Sequence, residues 1–152
     1  MIHHFIVITP SLVLATRLQR MGHAVYLVVG VDSRPNNTAA DPKQALDYGT
    51  VMYQQQILQR TVMVHRALLM GSNVLIADID AVWLSDPFIE LHKHHHAHNV
   101  LAPVDGYNDQ WICGCLVYLR NSQRTVRAWE QVVTHHQGIV LRGMQTGSLS
   151  HR

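Results

Sequence analysis

The feature that most constrains the fold is an apolar run that ends in two acidic residues, VLIADID at residues 74–80. Four apolar residues in a row predict a buried strand. Side chains two residues apart on a strand point to the same side, so Asp78 and Asp80 should face one way at its end. Neighbouring carboxylates repel each other, and a divalent cation relieves that repulsion. The pair therefore predicts a metal site, and the simpler alternative is one acid capping a turn while the other is solvated.

Apolar strands alternate with amphipathic helices along the rest of the chain, which predicts an α/β fold. The continuous apolar runs indicate strands buried on both faces, as in a parallel sheet flanked by helices. We therefore expect a three-layer α/β/α sandwich with a mainly parallel sheet, and a single domain over residues 1–152. The predicted strands are residues 4–9, 24–30, 73–77, 99–103 and 112–119, and residues 31–50 are predicted to form an exposed connection.

Local signals predict where the helices begin and end. Thr9 and Pro10 should open the first helix, which ends at Gly22, and a long helix over residues 51–70 should stop at Gly71. A brief helix is predicted after the cap Ser85-Asp86-Pro87. The last predicted helix begins at Asn121-Ser122 and closes at Gly138, and residues 139–152 show no convincing pattern.

Composition limits the function classes that need to be considered. The chain is 47% hydrophobic and 14% charged, which is typical of a globular protein. Its net charge is +2 and its arginines are scattered, so a nucleic-acid partner is not expected. Neither a signal peptide nor a membrane span is visible at the start of the sequence. Cys113 and Cys115 are too few for a disulfide scaffold, and on a strand they would be poorly placed to form a bridge.

Oxygen ligands without a nearby cysteine or histidine favour Mn²⁺ or Mg²⁺, and such ions are usually completed by a ligand's phosphates. Three enzyme classes place Asp-x-Asp after an apolar strand. A phosphatase of the haloacid dehalogenase type also needs a downstream lysine and more acids, but no lysine follows Lys93 and only Glu130 follows Asp109. A topoisomerase-primase type domain needs an earlier glutamate, and none precedes Glu90. The third class is the GT-A type glycosyltransferase.

The segment ALLMGSNVLIADIDAVWLSDP at residues 67–87 resembles the signature of the nucleotide-diphospho-sugar transferase domain family. This GT-A type family includes plant cell-wall arabinosyl-, xylosyl- and galactosyltransferases. The segment CGCLVYLRNSQRTVRAW at residues 113–129 is similar to the family's glycine-containing strand, polar turn and tryptophan helix. The resemblance covers about residues 4–133, and it implies a GT-A-like fold that is incomplete at its C-terminus.

Carried over to this sequence, the resemblance implies that Asp80 binds Mn²⁺ (or Mg²⁺) directly and that Asp78 contacts the metal or the ribose. It implies that Ile8 and Thr9 lie beside the nucleotide base. The expected donor is a UDP-sugar and the expected acceptor a glycan or glycoprotein, with the Golgi lumen or membrane as the location. The function implied is metal-dependent sugar transfer, and the alternative is a non-catalytic nucleotide-sugar-binding remnant.

Weaker candidates surround this motif, and no catalytic base is identified. Asp105, or Asp109 in its place, could meet the donor sugar, and Gly114 could allow the backbone to approach substrate closely. The family usually has an asparagine shortly before this glycine, where this chain has Ile112-Cys113. That difference leaves the acceptor-side contacts open.

Other conspicuous residues are expected to be structural or solvated. Arg60 and Arg66 could reach a phosphate but fit surface charges better. Trp83 and Pro87 are predicted as core and cap, respectively. The histidine run over residues 92–98 is predicted to be a solvated loop, and His151 matches no ligand motif.

Overall fold

A computed structural model of the chain describes residues 5–9, 11–27, 49–78, 80–104 and 112–146. These residues form a mixed α/β structure, which confirms the predicted α/β class. They belong to two compact units, a central unit built on Met63–Val132 and a terminal unit built on His3–Val62 with Val133–Arg152. In chain order the elements are β1 (Ile6–Thr9), α1 (Leu12–Arg20), β2 (Ala24–Leu27), α2 (Val51–Leu69), β3 (Val74–Ala77), α3 (Pro87–His94), β4 (Val100–Leu101), β5 (Leu116–Leu119) and α4 (Gln123–Thr146).

The terminal unit contains a β-α-β motif made of β1, α1 and β2. The two strands pair in parallel, with Ile6 opposite Ala24 and Thr9 opposite Leu27. Helix α1 packs against both strands, and its buried residue is Ala15. The parallel pairing predicted from the apolar runs is therefore confirmed for these two strands.

Helix α1 begins after Ser11, two residues later than the predicted cap at Thr9. The Ser11 side chain accepts a 3.2 Å hydrogen bond from the N–H of Leu14, as an N-cap residue does. Thr9 is buried, and its hydroxyl oxygen accepts a 3.1 Å bond from the N–H of Ser11. Thr9 therefore supports the turn that leads into the helix, and Pro10 lies outside the described residues.

The central unit contains a three-stranded sheet in the order β3-β5-β4, and both pairings are antiparallel. Parallel pairing was expected, so the expectation is wrong for this sheet. The apolar runs indicated burial correctly, but burial on both faces does not by itself specify strand direction. Strand β5 is also shorter than predicted because it begins at Leu116 rather than at Ile112.

Helices contact both faces of this sheet. Val117 and Leu119 of β5 are buried in a cluster with Val64 and Leu68 of α2. Partly buried residues from β3, from the residue after β4 and from α4 pack against this cluster: Val74, Ile76, Ala102, Val126 and Trp129.

The ring of Tyr118 contacts the ring of Phe88 in α3, with 6.4 Å between their centroids. Side chains alternate across a strand, so Tyr118 lies on the face opposite Val117 and Leu119. Strand β5 is consequently the most buried strand of this sheet.

The end of α2 is confirmed where the sequence predicted it. Gly71 has a φ of +87°, a left-handed conformation that glycine adopts without steric cost. Its N–H donates to the carbonyl of Leu68, and the N–H of Ser72 donates to the carbonyl of Ala67. These bonds satisfy carbonyl groups that the end of a helix would otherwise leave unpaired.

Helix α4 continues past Gly138 to Thr146, so the predicted stop at Gly138 is wrong. A glycine inside a helix costs only about 1 kcal/mol relative to alanine, which packing can offset. Val133 and Val140 are buried seven residues apart, so one apolar face of α4 spans Gly138. In the described part of the chain, no helix combines the length and apolar character needed to cross a membrane.

Candidate functional site

Several predicted site residues gather at one end of the β3-β5-β4 sheet. Strands β3 and β4 both run antiparallel to β5, so their carboxyl ends lie where β5 begins. Asp78 directly follows β3, and Gly114 lies in the turn that leads into β5. The segment that follows β4 lies at the same end of the sheet. An isolated bridge pairs Val104 with Ile112, and the N–H of Cys113 donates 2.9 Å to the carbonyl of Pro103.

Asp78 is fixed to this end of the sheet by its backbone. Its N–H donates a 3.0 Å hydrogen bond to the carbonyl of Cys115, and its own carbonyl accepts a 3.1 Å bond from the N–H of Ala81. This second bond is the type that closes a turn between Asp78 and Ala81. Because β3 ends at Ala77, the alternation expected of a strand does not extend to Asp80. The turn, rather than the strand, positions the second acid.

The side chains of Asp78 and Asp80 are both exposed at this turn. Among the described residues, no group of three histidine, cysteine or acidic side chains is arranged to hold a metal ion. Mg²⁺ and similar hard cations are commonly bound through one or two carboxylates, with waters and substrate phosphates as the other ligands. Two accessible carboxylates fit that mode of binding.

The turn between Cys113 and Cys115 differs from its prediction. The two cysteines form a disulfide, and their Cα atoms are 5.2 Å apart, within the usual range for such a bond. The prediction against a bridge assumed that both residues lie on a strand, but β5 begins only after them. The Cys-x-Cys spacing was visible in the sequence, but the strand boundary was not. The disulfide encloses Gly114 and closes the turn opposite Asp78.

Gly114 is exposed, and a Cβ atom added to it would meet no described atom within 4 Å. Packing within this part of the chain therefore does not require a glycine here. The proposed role of Gly114, to let substrate approach the backbone closely, stays a prediction. Asp105 and Asp109 lie outside the described residues, so their proposed contacts with the donor sugar stay predictions.

Ile8 and Thr9 lie at the carboxyl end of β1 in the terminal unit. Ile8 is half-buried and pairs with Tyr26 of β2. Thr9 is 5% exposed, and its hydroxyl is engaged with the N–H of Ser11. Their predicted position beside a nucleotide base stays a prediction.

An exposed apolar segment follows the acidic turn. Val82 and Leu84 are 82% and 96% exposed, and Trp83 between them is 39% exposed. The prediction that Trp83 is a core residue is therefore wrong. The segment carries apolar residues but belongs to no helix or strand that would press it against the core. Exposed apolar side chains therefore follow Asp80 in the chain, whereas the sequence pattern predicted that Trp83 is buried in the core.

The cap after this segment is confirmed. The Asp86 carboxylate accepts a 2.9 Å bond from the N–H of Phe88, and Pro87 occupies the first turn of α3. On α2, Arg66 is exposed, as a surface charge would be. The charge of Arg60 lowers the pKa of His136, and both residues belong to the terminal unit.

Comparison with known proteins identifies the family of this chain. The profile of a family described as nucleotide-diphospho-sugar transferase matches residues 1–138. UDP-D-xylose:L-fucose alpha-1,3-D-xylosyltransferase 1 of Arabidopsis thaliana is 30% identical over 114 residues, covering 65% of this chain and 29% of that protein. UDP-galactose:fucoside alpha-3-galactosyltransferase of Dictyostelium discoideum is 29% identical over 98 residues, covering 60% of this chain and 15% of that protein.

A second Arabidopsis thaliana protein, UDP-D-xylose:L-fucose alpha-1,3-D-xylosyltransferase, is 31% identical over 114 residues, covering 65% of this chain and 28% of that protein. The chain thus spans less than a third of the length of these curated relatives. No solved structure matches it.

Proposed function

Because the chain belongs to the nucleotide-diphospho-sugar transferase family, we propose that it forms the donor-binding part of a metal-dependent glycosyltransferase. The single observation that carries this proposal is the pair of exposed carboxylates, Asp78 and Asp80, on a backbone-anchored turn at the carboxyl end of β3. Ligands of open α/β sheets bind beyond the carboxyl ends of their strands. A GT-A-like three-layer sandwich is part of the same proposal.

In this proposal Asp80 holds Mn²⁺ or Mg²⁺ directly, and Asp78 contacts the same ion or the ribose. The ion, when bound, supplies Lewis-acid stabilisation of the diphosphate leaving group. The residues of the chain orient the donor. The hydrogen bond between Asp78 and Cys115 fixes the turn. No described atom lies within 4 Å of a Cβ added to Gly114, and the donor or acceptor approaches the backbone there in this proposal.

The donor we propose is a UDP-sugar, and the acceptor is a glycan or glycoprotein hydroxyl. The names of the relatives support this choice, since they describe UDP-xylose and UDP-galactose donors and fucose or fucoside acceptors. We also propose a Golgi location. The disulfide between Cys113 and Cys115 supports an oxidising compartment, because disulfides persist there and are rare in the cytosol.

Calorimetry with UDP, UDP-xylose and UDP-galactose, each with and without Mn²⁺, tests donor binding. We expect binding that requires Mn²⁺ and that is lost in the double variant Asp78→Asn/Asp80→Asn. Glu130→Gln is the matched control, because it removes an exposed acidic charge on α4 instead. Equal binding by the double variant and the control would contradict the proposal.

A second assay separates transfer from binding alone. Radiolabelled donor is incubated with a fucoside acceptor, and both sugar transfer and donor hydrolysis are measured. Metal-dependent turnover that the double variant lacks supports a glycosyltransferase. Metal-dependent binding without turnover would instead identify the chain as a non-catalytic nucleotide-sugar-binding protein.

A further inference from the structure

A second cluster of metal-ligating side chains lies in the turn that connects α3 to β4. His95 ends α3, since its N–H donates 3.0 Å to the carbonyl of Leu91. The N–H of His98 then donates 3.0 Å to the carbonyl of His95, which closes a tight turn. This turn brings the two imidazole rings together, with centroids 6.0 Å apart, and both side chains are exposed.

The turn is anchored to the sheet by Arg120, the residue after β5. The N–H of Arg120 donates 2.9 Å to the carbonyl of Asn99. Its guanidinium donates to the carbonyl of His96 and, at 3.2 Å, to the side-chain oxygen of Asn99. The positive group is thus directed at amide oxygens, and these hydrogen bonds restrain the turn before any ligand arrives. Such pre-organisation lowers the entropic cost of binding.

The other histidines at the end of α3 have different neighbours. His92 packs its ring near that of Phe88, with centroids 6.4 Å apart. His94 lies 3.4 Å from the Glu90 carboxylate one helical turn earlier, in a contact that is ionic when the imidazole is protonated. The sequence shows a uniform histidine-rich run, but the structure separates one pair from it. Only His95 and His98 are paired across the tight turn.

This turn is separate from the proposed donor site. Val100 at the start of β4 pairs with Leu119 at the end of β5, whereas Ala77 beside Asp78 pairs with Leu116 at its beginning. The histidine turn therefore lies at the opposite end of the sheet. Four strand residues separate the two ends, a distance on the order of 10 Å.

We propose that His95 and His98 form a surface site for a borderline divalent transition-metal ion such as Zn²⁺, with water as the remaining ligands. Imidazole nitrogen is a preferred ligand for zinc, copper and nickel, while hard ions such as Mg²⁺ and Mn²⁺ prefer oxygen. The two ends of the sheet would thus differ in metal preference. Protons compete with the metal for imidazole nitrogen, so binding weakens as the pH falls.

The test is calorimetry of ZnCl₂ binding to the untagged chain, in a buffer that does not bind zinc. We expect His95→Gln/His98→Gln to weaken zinc binding by about tenfold or more, since even indirect partners of a metal contribute that much. His92→Gln/His94→Gln removes the same number of histidines from the same run and should bind zinc like the wild type. Circular dichroism of each variant confirms that the fold is retained.

Two outcomes would overturn the proposal. If both double variants lose zinc affinity to the same extent, binding depends on the number of histidines in the run and not on the turn. If neither variant loses affinity, zinc binds elsewhere. The Asp78→Asn/Asp80→Asn variant should keep the zinc binding lost in His95→Gln/His98→Gln, so failure at one site is distinguishable from failure at the other.

Discussion

The main-chain N–H of Asp78 donates a 3.0 Å hydrogen bond to the carbonyl oxygen of Cys115. This bond continues the pairing of β3 with β5 beyond the last paired residues, Ala77 and Leu116. Asp78 is therefore held through its backbone, while its carboxylate is exposed. Replacing the carboxylate with an amide of the same shape tests its charge without removing this anchor.

Asp80→Asn should abolish the Mn²⁺ dependence of UDP-sugar binding, and Asp78→Asn should weaken binding less, because Asp80 is the proposed direct ligand. A loss of about tenfold in affinity corresponds to about 1.4 kcal/mol. Calorimetry measures the affinities, and thermal unfolding should show unchanged stability for both variants. Full Mn²⁺ dependence in Asp80→Asn would rule out its role as a ligand.

Gly114→Ala should leave the free energy of unfolding within about 0.5 kcal/mol of the wild type. Its added Cβ meets no described atom, and its φ is outside the positive region. Donor or acceptor affinity should nevertheless fall if substrate approaches this backbone. Gly71→Ala is the control, because its φ of +87° should make alanine destabilising by about 1 kcal/mol.

Urea unfolding measures stability in these two glycine variants, and calorimetry measures ligand affinity. Unchanged affinity in Gly114→Ala would show that no ligand approaches this turn closely. Destabilisation as large as that of Gly71→Ala would show instead that the glycine is required by the fold.

Leu68→Ala should destabilise the protein by about 2 to 5 kcal/mol, the range for emptying a buried leucine site. Leu68 is 1% exposed in the cluster with Val117 and Leu119. Its neighbour Leu69 is 63% exposed, so Leu69→Ala should change stability by less than about 1 kcal/mol. Urea unfolding of the two variants compares them directly. Similar losses would contradict the placement of α2 against the sheet.

Stability should fall as the pH drops below about 6.5, partly through His136. Burial lowers the pKa of His136, and the positive charges of His135 and Arg60 lower it further, against an opposing hydrogen bond with Gln54. At acidic pH, His136 therefore binds a proton more readily in the unfolded chain than in the folded chain. The stabilisation from uncharged His136 is present above the pKa that His136 has in the unfolded chain. It is lost as the pH falls through the lower pKa that His136 has in the folded chain.

The check on His136 is the free energy of unfolding measured from pH 8 to pH 5 for the wild type and two variants. His136→Gln should show a shallower loss at acidic pH than the wild type. His135→Gln removes an exposed neighbour and should keep most of the wild-type loss. Identical pH profiles for all three proteins would exclude His136 as a cause.

Signals carried by neighbouring residues made several structural features predictable. The end of α2 at Gly71 and the start of α3 at Asp86-Pro87 follow from hydrogen bonds and backbone angles within a few residues. The stop predicted at Gly138 failed because burial of Val133 and Val140 extends the helix across it. Local propensity is weak, and distant packing overrides it.

By itself the sequence determined the α/β class, the strand that leads to Asp78, and the family to which the chain belongs, because apolar runs and motifs are carried by consecutive residues. Only the tertiary structure decided that β3 and β4 flank β5 in antiparallel pairing, and hence that Asp78 and Gly114 meet at one end of the sheet. Strand order and direction depend on contacts between residues far apart in the chain, which periodicity does not encode.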